Sequence, residues 1–190
     1  ADRRTTIVLK LQSESAAPER TEFEDALKVA RAITSPQLRR LKVVTFIDGK
    51  IRGHAVLTII ASEALVTTRT AVIGNASVGD ARSDPTILLT YESIAERRGL
   101  FPKPIVAALV DPGLELAEIT QVGGQQEFVT SETLNQLRKD GKILRENVIS
   151  PSGIPLELDA QALRSARISA AQVDSLEQAT EVLDLAKLEP

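Results

Sequence analysis

Few side chains in this sequence can act as nucleophile, base or metal ligand, and where they sit narrows the chemistry. The chain has no cysteine and a single histidine. That excludes disulfides, thiolate nucleophiles and metal sites built from several cysteines or imidazoles. The one imidazole, His54, follows a glycine in the run Lys50-Ile51-Arg52-Gly53-His54-Ala55. A neutral imidazole there can act as a base or bind a ligand carbonyl. The local alternative is that Gly53 permits a tight turn and His54 begins a helix with its ring partly solvated. Glu92 can act as a general base, or it can belong to a solvated helix face beside Arg97 and Arg98. Ser77, Ser83 and Ser93 carry hydroxyls, but none lies in a nucleophile-elbow pattern, and each reads as a turn or helix-surface serine. Gly123-Gly124 is followed by no Lys-Ser/Thr and opens no helix, so it reads as a hairpin turn and not a phosphate loop. Asp80, Asp84 and Asp111 have no metal-ligand spacing. The expected cofactor and metal content is none.

The elements that must position these residues alternate between two periods. Ile7 to Leu11 is a short, largely apolar run of the buried-strand kind, Lys42 to Ile47 is the second strand, and Asp48-Gly49 ends it. Between them, Thr21 and Glu24 have capping-box spacing, and Phe23, Ala26, Leu27, Ala30 and Ile33 recur at helical spacing up to Pro36. Ala55 to Ala61 suits a short buried helix. Ala64 to Val66 and Ala71 to Ile73 read as small strands. Pro85 opens a helix with Leu88, Tyr91, Ile94 and Ala95 on one face, and Gly99 stands where a left-handed C-cap belongs. Pro102 and Pro104 start another, which ends near Asp111-Pro112-Gly113. Leu114 to Thr120 and Gln126 to Thr130 form an expected hairpin. Ser131 then caps a helix ending at Gly141, Ile143 to Ile149 is a strand, and Asp159 and Asp174 cap the last helices. Strands alternating with helices make an α/β protein. All 190 residues read as one domain, with a core over about 5–113 and a subsidiary lobe over about 114–190.

Composition excludes several function classes. The net charge is −3 with both signs scattered, so there is no basic field for nucleic acid and no polybasic stretch for an anionic membrane. No apolar run approaches the roughly 20 residues of a spanning helix. The absence of any methionine predicts a fragment of a larger protein.

The stretch from Lys42 to Val110 resembles the ClpP-like serine protease domain of NfeD-type membrane proteins. Its successive parts are the strand Val43 to Ile47, the turn Lys50-Ile51-Arg52-Gly53-His54-Ala55, the helix Val56 to Ala61, the strand Ala64 to Val66 and the turn Ile73-Gly74. Farther on, Gln126 to Leu137 is similar to the family's Phe-Val-Thr, acidic, Leu segment. Val148 to Gly153 with Leu156-Glu157-Leu158 is similar to its strand–turn–strand. The resemblance implies a stacked β-β-α superhelix of the ClpP/crotonase type.

It also implies where a catalytic centre belongs. By the family's spacing back from Ile73-Gly74, the nucleophile position holds Gly53. The base position, before Ser93-Ile94-Ala95, holds Glu92 where those proteases carry lysine. The family's oxyanion Gly-Gly pair corresponds to Gln12-Ser13-Glu14-Ser15, which has no glycine. A Ser–Lys mechanism needs a hydroxyl, a neutral amine in reach of it and N–H donors for the oxyanion. The family activity is serine endopeptidase, and Gly53, His54 and Glu92 stand as a remnant of its site. The expectation is a catalytically degenerate domain that binds or scaffolds membrane partners. The alternatives are an active NfeD-type serine protease, and a crotonase-like acyl-CoA enzyme using Glu92 as base and N–H groups near Gly53 as oxyanion hole. By the same resemblance the partner is a stomatin/flotillin-type membrane protein. The domain is expected to self-associate and to lie on the extracytoplasmic side of the membrane that anchors its parent.

Overall fold

The computed structural model describes residues 5–12, 22–38, 40–78 and 84–184. Thr21 of the expected capping box, Ser13-Glu14-Ser15, Asp80 and Ser83 lie outside those residues.

Strands β1 (Thr6–Gln12) and β2 (Lys42–Asp48) pair in parallel along their whole length, from Thr6 opposite Lys42 to Gln12 opposite Asp48. Helix α1 (Phe23–Ile33) connects them and buries Ala26, Leu27, Ala30 and Ile33, the face its periodicity predicts. Its last turn is closed by Thr34, whose hydroxyl donates to the Ala30 carbonyl at 2.8 Å. A short 3₁₀ turn at Pro36–Leu38 leads on to β2.

The next segments repeat one pattern. From β2 the chain runs into the two-residue strand β3 (Lys50–Ile51) and then helix α2 (Ala55–Ile60). From β4 (Ala64–Thr67) it runs into β5 (Val72–Gly74) and then helix α3 (Pro85–Arg98). β4 lies parallel to β2, and β5 lies parallel to β3. Each turn therefore adds one strand to a first sheet, one to a second, and a helix. This is the expected β-β-α spiral of the ClpP/crotonase type.

The spiral is held by a core with two faces. β2 is buried on both sides, as a parallel strand covered on both faces must be. Val43, Ile47 and Leu65 face the main core with α2 and α3. Val44, Phe46 and Val66 face a smaller cluster completed by Val173 and Ala179. The buried Thr45 hydroxyl lies 2.6 Å from that of Ser62, which donates to the Thr58 carbonyl at 3.1 Å. With the Ser62 proton committed to Thr58, Thr45 is the donor to Ser62. All three polar groups are thereby satisfied, as burial requires.

Asp84 caps α3 by accepting from the Thr86 N–H at 2.7 Å, Pro85 holds its first turn, and Gly99 ends it at φ 71°. Helix α4 (Lys103–Val110) follows, buried from Ile105 to Val110. Then β6 (Leu116–Gln121) forms an antiparallel sheet between β7 (Gln126–Thr130) and β8 (Ile143–Ser150). Helix α5 (Ser131–Lys139) closes over that sheet, its Leu134 packing with Ala117, Ile119 and Val129.

Two expected caps are corrected here. Ser131 is the first helical residue of α5, and its hydroxyl accepts from the Glu115 N–H at 2.8 Å instead of capping the helix. The last helix, α7 (Leu176–Val182), is capped by Ser175 and not Asp174; Asp174 pairs with Arg69 at 3.2 Å. Asp159 does cap its helix, α6 (Ala160–Ser165), accepting from the Ala162 N–H at 2.7 Å.

After the antiparallel sheet the chain returns to the spiral. β9 (Glu157–Asp159) pairs antiparallel with β5, and β10 (Ala171–Gln172) pairs parallel with β4. The first sheet is thus β1-β2-β4-β10 and the second β3-β5-β9.

Candidate functional site

The elbow between β3 and α2 is built from backbone first. Gly53 adopts φ 65°, the left-handed region where a side chain is disfavoured. Its N–H donates to the Asn75 carbonyl at 3.0 Å, and its own carbonyl accepts from Val56 at 3.1 Å. Asn75 is itself left-handed at φ 42°, and its N–H donates to the Leu156 carbonyl at 3.0 Å. The turn after β5 and the segment before β9 therefore clamp the elbow. Gly74 is fixed in the same way: a Cβ there would stand 2.6 Å from the Leu156 carbonyl oxygen.

Side chains reinforce the clamp from outside. Lys50 and Arg52, flanking Ile51 of β3, both reach Glu157 of β9, at 2.8 and 2.7 Å. These hydrogen bonds, the Lys50 one foremost, hold the Glu157 carboxyl below the ordinary glutamate range.

His54 occupies the position before α2, but its ring is not partly solvated. The residue is only 4% exposed. The Phe23 ring of α1 packs edge-on against the imidazole, with centroids 5.1 Å apart. Nδ1 lies 3.0 Å from the phenol oxygen of Tyr91 on α3, and Tyr91 is fully buried. The solvated-ring expectation is overturned because helices from both sides close over the residue. The chain's one histidine and one tyrosine meet as a buried pair that ties α1, α2 and α3 together.

Glu92 is not part of this pair. It follows Tyr91 on α3, and successive helical residues point about 100° apart. Tyr91 faces inward, while Glu92 is half-buried and makes no hydrogen bond or ion pair among the described residues. The partner of the His54 Nδ1 is Tyr91 and neither Ser77 nor Ser93. Ser93 is exposed and faces the space between α1 and α3. Asp84 and Asp111 serve the backbone, accepting from Thr86 at 2.7 Å and Gly113 at 2.8 Å. No group of three or more His, Cys, Asp or Glu residues is placed to hold a metal ion among the described residues.

Two hollows of the surface lie away from the elbow. One, of about 360 Å³, is lined by Thr34, Ser35, Pro36, Arg97 and Arg98. Another, of about 240 Å³, lies between α1 and α3. Gly53, His54 and Glu92 line neither. Reading the sequence by motif singled out those three residues and missed Tyr91 as the partner of His54. The available signal was that each is the sole residue of its type, with Tyr91 on the apolar face of its helix.

No helix among the described residues is long and apolar enough to cross a membrane. No protein-family model matches the sequence, and no curated protein does. Among solved structures, the chain is similar to a mutant of the 1510-N membrane-bound stomatin-specific protease, with a TM-score of 0.47 and 9% identity over 95% of this chain and 84% of that one. It is also similar to an enoyl-CoA hydratase from Shewanella pealeana, with a TM-score of 0.39 and 14% identity over 93% of this chain and 55% of that one.

Proposed function

We propose that this chain is a catalytically degenerate ClpP-like domain of an NfeD-type membrane protein, acting by binding or scaffolding a membrane partner and not by hydrolysis. The observation that carries this reading is the closed elbow. Gly53 brings no nucleophile, its amide is engaged by Asn75, and the neighbouring imidazole is buried against Phe23 and bonded to Tyr91. A hydrolytic site needs a base within reach of its nucleophile and N–H donors aimed at the reacting carbonyl oxygen. The engagement of the Gly53 amide also weighs against a crotonase-like oxyanion hole at this position.

The sequence resemblance supplies the rest of the proposal. The partner is a stomatin- or flotillin-type membrane protein, copies of the domain self-associate, and the domain lies on the extracytoplasmic side of the membrane that anchors its parent. Fluorophosphonate labelling of the purified chain, with an active NfeD-type protease alongside, tests the central point. The expected result is a labelled control and no adduct on this chain. A stoichiometric adduct on one serine overturns the proposal. So does cleavage of a stomatin C-terminal peptide that is lost on Gly53→Val.

A further inference from the structure

The two hollows described above meet at Arg97, which lines both. Together they make a groove between the outer faces of α1 and α3. From Thr86 to Arg97 the α3 side extends roughly 16 Å at the helical rise. The smaller hollow has an apolar floor of Leu27 and Ile94, and Leu89, 65% exposed, stands at its side. The larger hollow sets Arg97 and Arg98 beside Thr34 and Ser35.

Charge gives the groove its sign. Arg31, Arg97 and Arg98 line it, and no described acidic residue does, although the chain as a whole carries a net charge of −3. Arg98 is held by Glu63 at 3.0 Å and donates to the Ile33 carbonyl at 2.5 Å. Arg31 and Arg97 are exposed, and neither has an ion-pair or hydrogen-bond partner among the described residues. Two unpartnered guanidiniums beside the exposed Leu89, with the edges of the buried Leu27 and Ile94 beneath, suit an occupant with both carboxylates and aliphatic side chains. A flat membrane surface cannot enter a trough between two helices. A nucleic acid would meet no exposed aromatic ring for stacking here, and a net-negative protein besides.

We propose that the α1/α3 groove docks an acidic amphipathic segment of a partner protein, laid along the helices as a third helix. Aliphatic side chains enter over Leu27, Leu89 and Ile94, and carboxylates reach Arg31 and Arg97. Helix-in-groove recognition uses this division between apolar anchors and flanking charge. The proposal rests on the reading of the chain as a binding domain and names the surface that binds.

The test is fluorescence anisotropy with the whole chain and a labelled helical peptide of about 15 residues, built from Leu, Glu and Ala with leucines at i, i+4 spacing. A second peptide carries Lys in place of every Glu. The wild type binds the Glu peptide saturably, and added salt weakens the binding. The Arg31→Glu/Arg97→Glu variant binds it at least about tenfold more weakly and gains binding to the Lys peptide. Both side chains are exposed, so circular dichroism of the variant matches the wild type. Absence of saturable binding by the wild type overturns the docking site. Equal binding of both peptides, or binding untouched by the charge reversal, does the same. A stomatin C-terminal peptide that binds wild type and variant equally refutes the groove while leaving the binding-domain reading standing. A fluorophosphonate adduct refutes that reading whatever the peptides do.

Discussion

Replacing Tyr91 with phenylalanine removes one oxygen from a site where three helices meet. The ring and its packing stay, so the change removes what the hydroxyl contributes, including the hydrogen bond to His54 Nδ1, 3.0 Å long between residues 0% and 4% exposed. A neutral hydrogen bond is worth about 1 kcal/mol net, and a buried polar atom deprived of its partner costs about 1–3 kcal/mol. Tyr91→Phe should therefore lose about 1–3 kcal/mol in urea unfolding, or roughly 2–12 °C in melting temperature for a chain of this size. His54→Phe keeps an aromatic ring against Phe23 while leaving the Tyr91 hydroxyl without the imidazole. If the bond is what matters, the double variant His54→Phe/Tyr91→Phe loses less than the two single variants added together. The coupling energy should be about 1–2 kcal/mol. A Tyr91→Phe protein within about 0.5 kcal/mol of wild type, or a cycle with no coupling, refutes the view that this pair fastens α1, α2 and α3.

Two further outcomes follow from the elbow. Gly53→Ser puts a hydroxyl at the position that the sequence resemblance assigns to a nucleophile, but it forces a side chain into a left-handed residue at φ 65°. It should cost about 1–2 kcal/mol of stability and still give no fluorophosphonate adduct; a Gly53→Ser protein that is labelled and keeps wild-type stability would contradict both halves. Glu157 titrates below its ordinary value of 4.5 because Lys50 and Arg52 hydrogen-bond to it. A carboxyl with a depressed folded pKa stabilises the fold above the unfolded value, and that contribution fades as pH falls through the folded one. The stability advantage of wild type over Glu157→Gln should thus be present at neutral pH, shrink below about pH 4.5, and weaken in high salt because the ion pairs are partly exposed. Urea midpoints across pH 3 to 7 measure it, and a gap that widens on acidification would refute the assignment.

Most of the framework was legible because local chemistry dictates it. Asp84, Pro85 and Gly99 bracket α3 by capping rules that need no tertiary partner. The run Val43 to Ile47 is apolar on both sides, save for the hydrogen-bonded Thr45, because parallel strands bury both faces. What escaped depends on distant neighbours. Ser131 has the residue type of a cap, yet its hydroxyl meets the Glu115 amide of the adjoining segment first. His54 is polar by type, and only the arrival of Phe23 and Tyr91 from other helices makes its position a core one. The candidate site shows the same division. Gly53 can be recognised as a turn residue from its neighbours, but the carbonyl of Asn75 that engages its amide comes from the next turn of the spiral. The arginines of the α1/α3 groove carry no motif, since nothing local records that two helix faces will lie side by side.

The partnership of β4 with β10 bears on how the chain is made. Val66 lies opposite Ala171, and the apolar side of Val44 and Phe46 is finished only by Val173 and Ala179. A ribosome delivers β2 and β4 long before it delivers the residues that cover them. Until then an apolar sheet face is open to water and to other nascent chains. Pairings so far apart in sequence are slow to form because loop closure must come before the contacts that reward it. The spiral can wind from its N-terminal end during synthesis, but it seals only once Ala171, Val173 and Ala179 have emerged. Those segments therefore decide whether a newly made chain folds or aggregates.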